Sequence, residues 1–369
     1  MAGIYIHVPF CKQKCTYCDF ASFPREIGKA EAYFACLIKE IDSRAEELKH
    51  MSFDTVYFGG GTPSFVNAEF IGAILNHAKK RFKIKENAEI TIEINPGTLT
   101  EQKVAIYKKA GINRFSVGLQ TACDSQLARL NRIHTAEEFL FACSLLKGCN
   151  LSVDVMIGLQ DQTNEEIKST VDLAIKGGAK HISVYALTPE EGTPMFTTYL
   201  NGELPDGDEV ADMYEFTAGY LEKKGFKRYE VSNFSYEGYQ SKHNLNYWKR
   251  GEYIGLGVSA SSCIANRRFT NSKNLDEYIH CLLNDRYAEI FSEQVQGDEI
   301  KNEYVMLALR TADGISLSDY KNTFNSDFLT DYDEAICSTK KYLQIDENWV
   351  KIKPENLYVQ NQIIIYFMK

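Results

Sequence analysis

Six short runs rich in β-branched residues recur through the first half of the chain, at 4–8, 55–58, 90–94, 114–117, 151–157 and 181–186. Amphipathic stretches of helical length separate them, at 29–49, 69–82, 101–110, 136–146 and 165–176. That alternation admits few folds, because parallel strands need crossover helices between them. It predicts an α/β class protein built on an open, partial (β/α)6 barrel over residues 1–203. A barrel extension over 204–293 is expected to close its side. From 294 to 369 a smaller, mainly helical C-terminal domain is expected, carrying a hairpin formed by residues 342–350 and 359–366.

In parallel βα architectures chemistry gathers where strands end and loops begin, since those loops share one face. The first strand runs into Cys11 and the second into Gly59-Gly60-Gly61-Thr62-Pro63. The third holds Glu93 near its end, the fourth runs into Gly118-Leu119-Gln120, the fifth carries Asp154, and the sixth ends at Tyr185-Ala186. Polar residues, glycines and a cysteine thus recur at one end of six strands.

With 44% hydrophobic and 25% charged residues, the 369-residue chain has the composition of a folded soluble protein. A formal net charge of −9 puts no general positive field on its surface, so no nucleic-acid partner is expected. No apolar stretch approaches the ~20 residues of a membrane span, and residues 1–10 lack the basic start of a signal peptide. The expected location is cytoplasmic, with peripheral contact at a membrane left open. Ten cysteines in a chain this large do not require disulfides, so a reducing compartment is expected.

Three of those cysteines fall within eight residues, Cys11-Lys-Gln-Lys-Cys15-Thr-Tyr17-Cys18. Three thiolates in a short loop suit a cube-shaped [4Fe-4S] cluster with its fourth iron left open, a position S-adenosylmethionine (SAM) can fill through its amine and carboxylate. The competing reading is structural zinc held by the three cysteines and His7, but zinc sites usually pair two Cys-x-x-Cys knuckles and no second knuckle exists. The other seven cysteines are scattered and read as ordinary buried thiols. The opening Tyr5-x-His7-x-Pro9-Phe10-Cys-x3-Cys-x-Tyr-Cys18-Asp19-Phe20 resembles that of the radical-SAM branch containing oxygen-independent coproporphyrinogen dehydrogenases and HemW-type haem chaperones. The resemblance continues through Gly59 to Pro63, Glu93, Gln120, Arg132 with His134, Asp154 and Gly255 to Ser262.

The resemblance implies that Cys11, Cys15 and Cys18 ligate the cluster. It implies that Gly60, Gly61 and Thr62 meet the amino-acid part of SAM, while Glu93, Gln120, Arg132 and Asp154 surround the rest. Tyr5, Tyr17 and Ala186 are expected to supply packing and backbone contacts to SAM. The coproporphyrinogen dehydrogenases carry a fourth cysteine two positions after the third, where this chain has Phe20, which weakens the enzyme reading. His243-Asn244-Leu245-Asn246-Tyr247-Trp248 resembles the His-Asn-x-x-Tyr-Trp motif of the haem chaperones. On that reading an exposed His243 is the axial ligand of haem iron, with Tyr247 and Trp248 packing on the porphyrin. The expected partners are then haem, acceptor haemoproteins such as cytochromes, and an electron donor. A tetrapyrrole-modifying radical-SAM enzyme and a structural zinc protein are the alternatives.

Overall fold

The computed structural model describes residues 1–368. The six runs are strands β1 (Ala2–Val8), β2 (Ser52–Gly60), β3 (Lys83–Ile94), β4 (Arg114–Gln120), β5 (Asn150–Ile157) and β6 (His181–Ala186), parallel and paired in sequence order. Between them run α1 (Ala30–Glu47), α2 (Ala68–Arg81), α3 (Glu101–Ala110), α4 (Asp124–Arg129), α5 (Ala136–Leu145) and α6 (Asn164–Lys176). Of these, only the six-residue α4 was not foreseen. Thr135 and Thr163 start α5 and α6 with capping boxes closed by Glu138 and Glu166, which satisfies amide donors that a helix start leaves unpaired.

Side chains alternate across each strand, and that alternation separates core from site. Ile4, Ile6, Val8, Val56, Phe58, Ile92, Val117, Val153 and Val155 turn to the helices and are buried with Tyr33, Leu37 and Ile41 of α1 in one core. The intervening positions carry Tyr5, Tyr57, Glu93, Ser116, Asp154 and Ser183. Pairing places Tyr5 beside Tyr57, Glu93 beside Ser116 and Asp154 beside Ser183, so these polar groups collect on the opposite face.

The extension is part of the same sheet rather than a cap over its side. After α7 (Pro194–Leu200) and α8 (Gly207–Lys223), β7 (Lys227–Arg228) and β8 (Asn233–Ser235) lengthen the sheet beyond β6. After α9 (Lys242–Trp248), β9 (Glu252–Leu256) pairs in parallel with β1 at the other edge. Antiparallel β10 (Ser261–Ile264), β11 (Arg267–Asn271) and, after α10 (Leu275–Leu283), β12 (Glu289–Gln294) follow it. The twelve strands run β12-β11-β10-β9-β1-β2-β3-β4-β5-β6-β8-β7. A buried carboxylate fixes this edge to α1: Glu40 accepts from the Gly257 amide at 2.7 Å, Asn271 Nδ2 at 2.6 Å and the Tyr278 hydroxyl at 2.7 Å. Burial pushes its pKa up, and the three donors offset part of that cost.

The C-terminal segment has its own hydrophobic cluster, including Val305, Leu309, Tyr320, Phe328, Val350 and Phe367. It contains α11 (Asp298–Ala308), α12 (Leu317–Phe324), α13 (Phe328–Asp331), α14 (Asp333–Thr339) and α15 (Gln360–Ile364). A three-stranded sheet joins β13 (Ile315–Ser316), β14 (Leu343–Ile345) and β15 (Trp349–Ile352) in the order β13-β15-β14. The expected hairpin is therefore β14 with β15, and residues 359–366 are helical instead of its second strand. Gln360, Ile363, Ile364 and Phe367 are all buried, a helical spacing that turns one face of this run into the core. Among the described residues no helix is long and apolar enough to cross a membrane.

Candidate cluster and cofactor site

The loop after β1 is held in place before any ligand is considered. Phe23 N donates to Pro9 O at 2.7 Å, Thr16 N to Leu130 O at 3.2 Å, and Met195 N to Thr16 O at 3.0 Å. Asn131 Nδ2 donates to Lys14 O at 2.7 Å. Cys18 N closes a turn on Cys15 O at 3.3 Å. Cys11 is buried and Cys15 and Cys18 are half-buried; all three are free thiols. Thr62 Oγ1 donates to Cys11 Sγ at 3.3 Å and Arg132 Nη1 to Cys15 Sγ at 3.6 Å. Burial pushes the Cys11 and Cys18 thiols up, and a positively charged group bound between them would favour their thiolate forms.

The three thiols line a cavity of about 440 Å³ together with Tyr17, Gly60, Gly61, Thr62, Glu93, Gln120, Arg132, Asp154 and Ala186. Twelve positions chosen from the sequence for cluster or SAM thus share one space. Among the described residues no three His, Cys, Asp or Glu side chains gather where a single metal ion could take them all. Thiols spread round a cavity wall suit a cluster with separate irons better than one tetrahedral zinc. His7 does not serve the zinc reading either: its ring is buried, with Nδ1 on the Tyr5 hydroxyl at 3.0 Å and Nε2 on Ala21 O at 2.8 Å.

The glycine run is needed by the protein's own packing. Gly60 has φ +110°, and a Cβ there would lie 2.4 Å from the His7 ring. At Gly61 a Cβ would meet Val8 O and Phe10 O at 2.9 Å, and the Gly61 and Thr62 amides donate to those carbonyls at 2.9 and 2.8 Å. The close approach is thus to the cluster loop, and it sets that loop against the end of β2.

Two half-buried carboxyls face the cavity. Glu93 accepts from the Tyr57 hydroxyl at 2.9 Å and the Gly60 amide at 3.2 Å, while Asp154 accepts from Ser116 Oγ at 3.3 Å. Burial, with Asp154 nearby, pushes Glu93 up to about 7; burial pushes Asp154 up to about 6. Arg132 is tied by Nη2 to Gly118 O at 2.9 Å, and its Nε is buried without a partner. A fixed guanidinium with a spare donor suits a carboxylate, and paired acids suit a cation, so the lining fits both ends of SAM's amino-acid part and its sulfonium. Gln120 reaches the cavity from a left-handed backbone, φ 69°, at a register shift between β4 and β5. His134, buried behind this wall, has Nε2 at 3.3 Å from Leu119 O.

Tyr5 departs from expectation. It does not line this cavity but a second one of about 770 Å³, on the β9 side of the cluster loop. The two cavities share Lys14, Asp19, Phe20, Ser22, Gly60 and Glu93.

The expected haem motif is corrected further. His243 is 1% exposed rather than a surface residue, with Nδ1 at 2.7 Å from Thr55 Oγ1 and Nε2 at 2.8 Å from the Tyr247 hydroxyl. Its ring stacks on Tyr57 at 5.0 Å, and burial lowers its pKa to about 3. Both nitrogens are engaged inside the protein, which leaves none for iron. Trp248 is half-buried and lines neither cavity, and Tyr247 alone of the three motif residues reaches the second one. Tyr57, Met156 and Tyr185 also line the first cavity and were missed, although Met156 lies two positions along β5 from Asp154, which faces it. Cys263, read as an ordinary buried thiol, is half-buried on the second cavity, and Cys337 is exposed.

Residues 5–174 match the Radical SAM superfamily model. The haem chaperone HemW of Lactococcus lactis is 31% identical, the match covering 99% of this chain and 96% of that protein. HemW of Haemophilus influenzae is 39% identical over 70% of this chain and 69% of its own. The structure of Escherichia coli coproporphyrinogen III oxidase HemN, a radical SAM enzyme, aligns with a TM-score of 0.87 at 20% identity, covering 100% of this chain and 90% of that one. At that identity the likeness shows a shared fold and nothing finer. The chain, with a motif loop and cavity suited to a cluster and SAM, belongs to the radical SAM superfamily and within it to the HemW haem chaperone family.

Proposed function

We propose that this protein is a haem carrier: it holds a [4Fe-4S] cluster and SAM in the smaller cavity, binds haem, and hands it to acceptor haemoproteins such as cytochromes. The observation that carries the reading is the convergence of Cys11, Cys15, Cys18 and the SAM-suited groups on one cavity that adjoins a larger one. When bound, the cluster supplies an electron at its open iron, and a separate electron donor must recharge it. The chain's own part is to hold three thiolates, grip a carboxylate with Arg132 and face a sulfonium with Glu93 and Asp154. An intracellular, reducing location fits ten cysteines without a disulfide.

Phe20 lies 64% exposed on the lip between the cavities, where the dehydrogenases have their fourth cysteine. That apolar ring offers no thiol for substrate chemistry, so the carrier reading is favoured over coproporphyrinogen conversion. The test is anaerobic reconstitution followed by haem titration, transfer to an apo-cytochrome, and a coproporphyrinogen III turnover assay. Haem uptake and transfer without turnover is expected. Sustained multiple turnover to protoporphyrinogen IX would restore the enzyme reading.

A further inference from the structure

We propose that the second cavity is the haem seat, with the porphyrin against Tyr247 and Tyr253 and its propionates toward Arg268 and Lys273. The proposal rests on the haem-carrying reading and adds a location and a recognition chemistry to it.

Size is the first argument. The cluster and SAM claim the cavity of about 440 Å³, whereas the neighbouring space of about 770 Å³ lies within the ~300–1,000 Å³ usual for a cofactor site. Construction of the wall is the second. Cys263 pairs with Tyr253 on β9 and with Arg268 on β11, and directly opposed residues of antiparallel strands project to one face. Tyr253, Cys263 and Arg268 therefore form a row across three strands, and all three line the cavity. Tyr247 meets Tyr253 edge to face at 4.7 Å from α9. An apolar floor with a cation at its margin suits a flat ring bearing carboxylates.

Charge is the third argument. In a chain of net charge −9, this lining carries Lys14, Arg250, Arg268 and Lys273 against Asp19 and Glu93. Glu303 joins both guanidiniums, at 2.8 Å from Arg250 Nε and 2.6 Å from Arg268 Nη2. Glu293 adds a longer pair to Arg268, at 3.8 Å from Nη1, so the Arg268 guanidinium is held at the cavity margin by two carboxylates. Lys273 is exposed.

The arrangement also gives the His-Asn-x-x-Tyr-Trp motif a physical role. His243 is a positioning residue: its Nε2 partners the Tyr247 hydroxyl at 2.8 Å and fixes that ring in the cavity wall.

The experiment uses the full chain, anaerobically reconstituted, and titrates haem and haem dimethyl ester, which lacks the carboxylates. Three proteins are compared: wild type, Cys263→Trp to fill the seat, and the double variant Arg268→Gln, Lys273→Gln. The filled variant is expected to lose haem affinity at least ~tenfold with iron content and SAM affinity unchanged. The double variant is expected to lose roughly tenfold for haem and little for the ester. Wild-type haem affinity in both variants overturns the seat while leaving the carrier reading intact. Absence of haem binding by the wild type overturns the carrier reading, and the seat with it. Should Cys263→Trp lose its cluster, the haem-against-ester comparison in the double variant decides alone.

Discussion

The two cavities beside the cluster loop are built in different ways. The smaller is assembled from the ends of consecutive parallel strands, so each contribution follows the last in sequence and ends in a recognisable signature: three cysteines, a glycine run, two acids. The larger draws Tyr5 from β1, Tyr247 from α9 and Tyr253, Cys263 and Arg268 from three strands of the sheet's edge. A site built from successive strand ends leaves a readable trail, and one built from cross-strand rows does not, because its neighbours are set by register.

Removing Cys15, a proposed cluster ligand, is the severest test of whether the cavities are separate. Cys15→Ala is expected to bring iron to background and abolish SAM binding while haem uptake persists; iron assay and haem titration on one preparation check both. Loss of haem uptake along with the iron would merge the two sites.

His243 comes next, since it lies between the regions. Its ring is buried and bonded at both nitrogens, so His243→Ala leaves a cavity and strands the partners on Thr55 and Tyr247. A cost of about 3 kcal/mol is expected, far above the roughly 0.5 kcal/mol of an exposed substitution. Chemical denaturation of the apo-protein measures it. A near-neutral result would return the histidine to the surface.

Gly60→Ala is expected to cost about 2 kcal/mol, from the left-handed backbone and the clash with His7, and to weaken SAM more than haem. Equal weakening of both ligands would show that the loop carries the larger cavity as well.

The acids of the smaller cavity give a milder, pH-dependent contrast. With Glu93 at about 7 and Asp154 at about 6, both are increasingly neutral as the pH falls from 8 to 5.5. SAM's cationic groups then lose their counter-charge, and SAM affinity is expected to drop roughly tenfold, with Glu93→Gln flattening the profile. The folded apo-protein, by the same raised values, holds protons that the unfolded chain releases. Its stability from these groups is present at low pH and declines as pH rises from the ordinary carboxylate range through about 7. A SAM affinity that rises on acidification would contradict the assignment.

Legibility followed the same division. Apart from β3, which begins at Lys83 rather than at the expected Ile90, strands and helices of the six units lay within a few residues of expectation, because period-two and helical patterns alternate strongly there. The edge strands were missed since β7 to β11 are only two to five residues long, too short for a period-two pattern to declare itself. The 359–366 run is rich in β-branched and aromatic residues, yet the burial of Gln360, Ile363, Ile364 and Phe367 follows a helix, a spacing the sequence also contained. His243 was misplaced for a different reason: a motif names residue types, and burial decided whether the imidazole met a ligand or a neighbouring tyrosine.

Haem titrated into chain already loaded with cluster and SAM tests the separation of the two sites most directly. Two separate cavities predict one haem per chain with about four irons and bound SAM all retained. Displacement of SAM or loss of iron as haem enters would contradict the account.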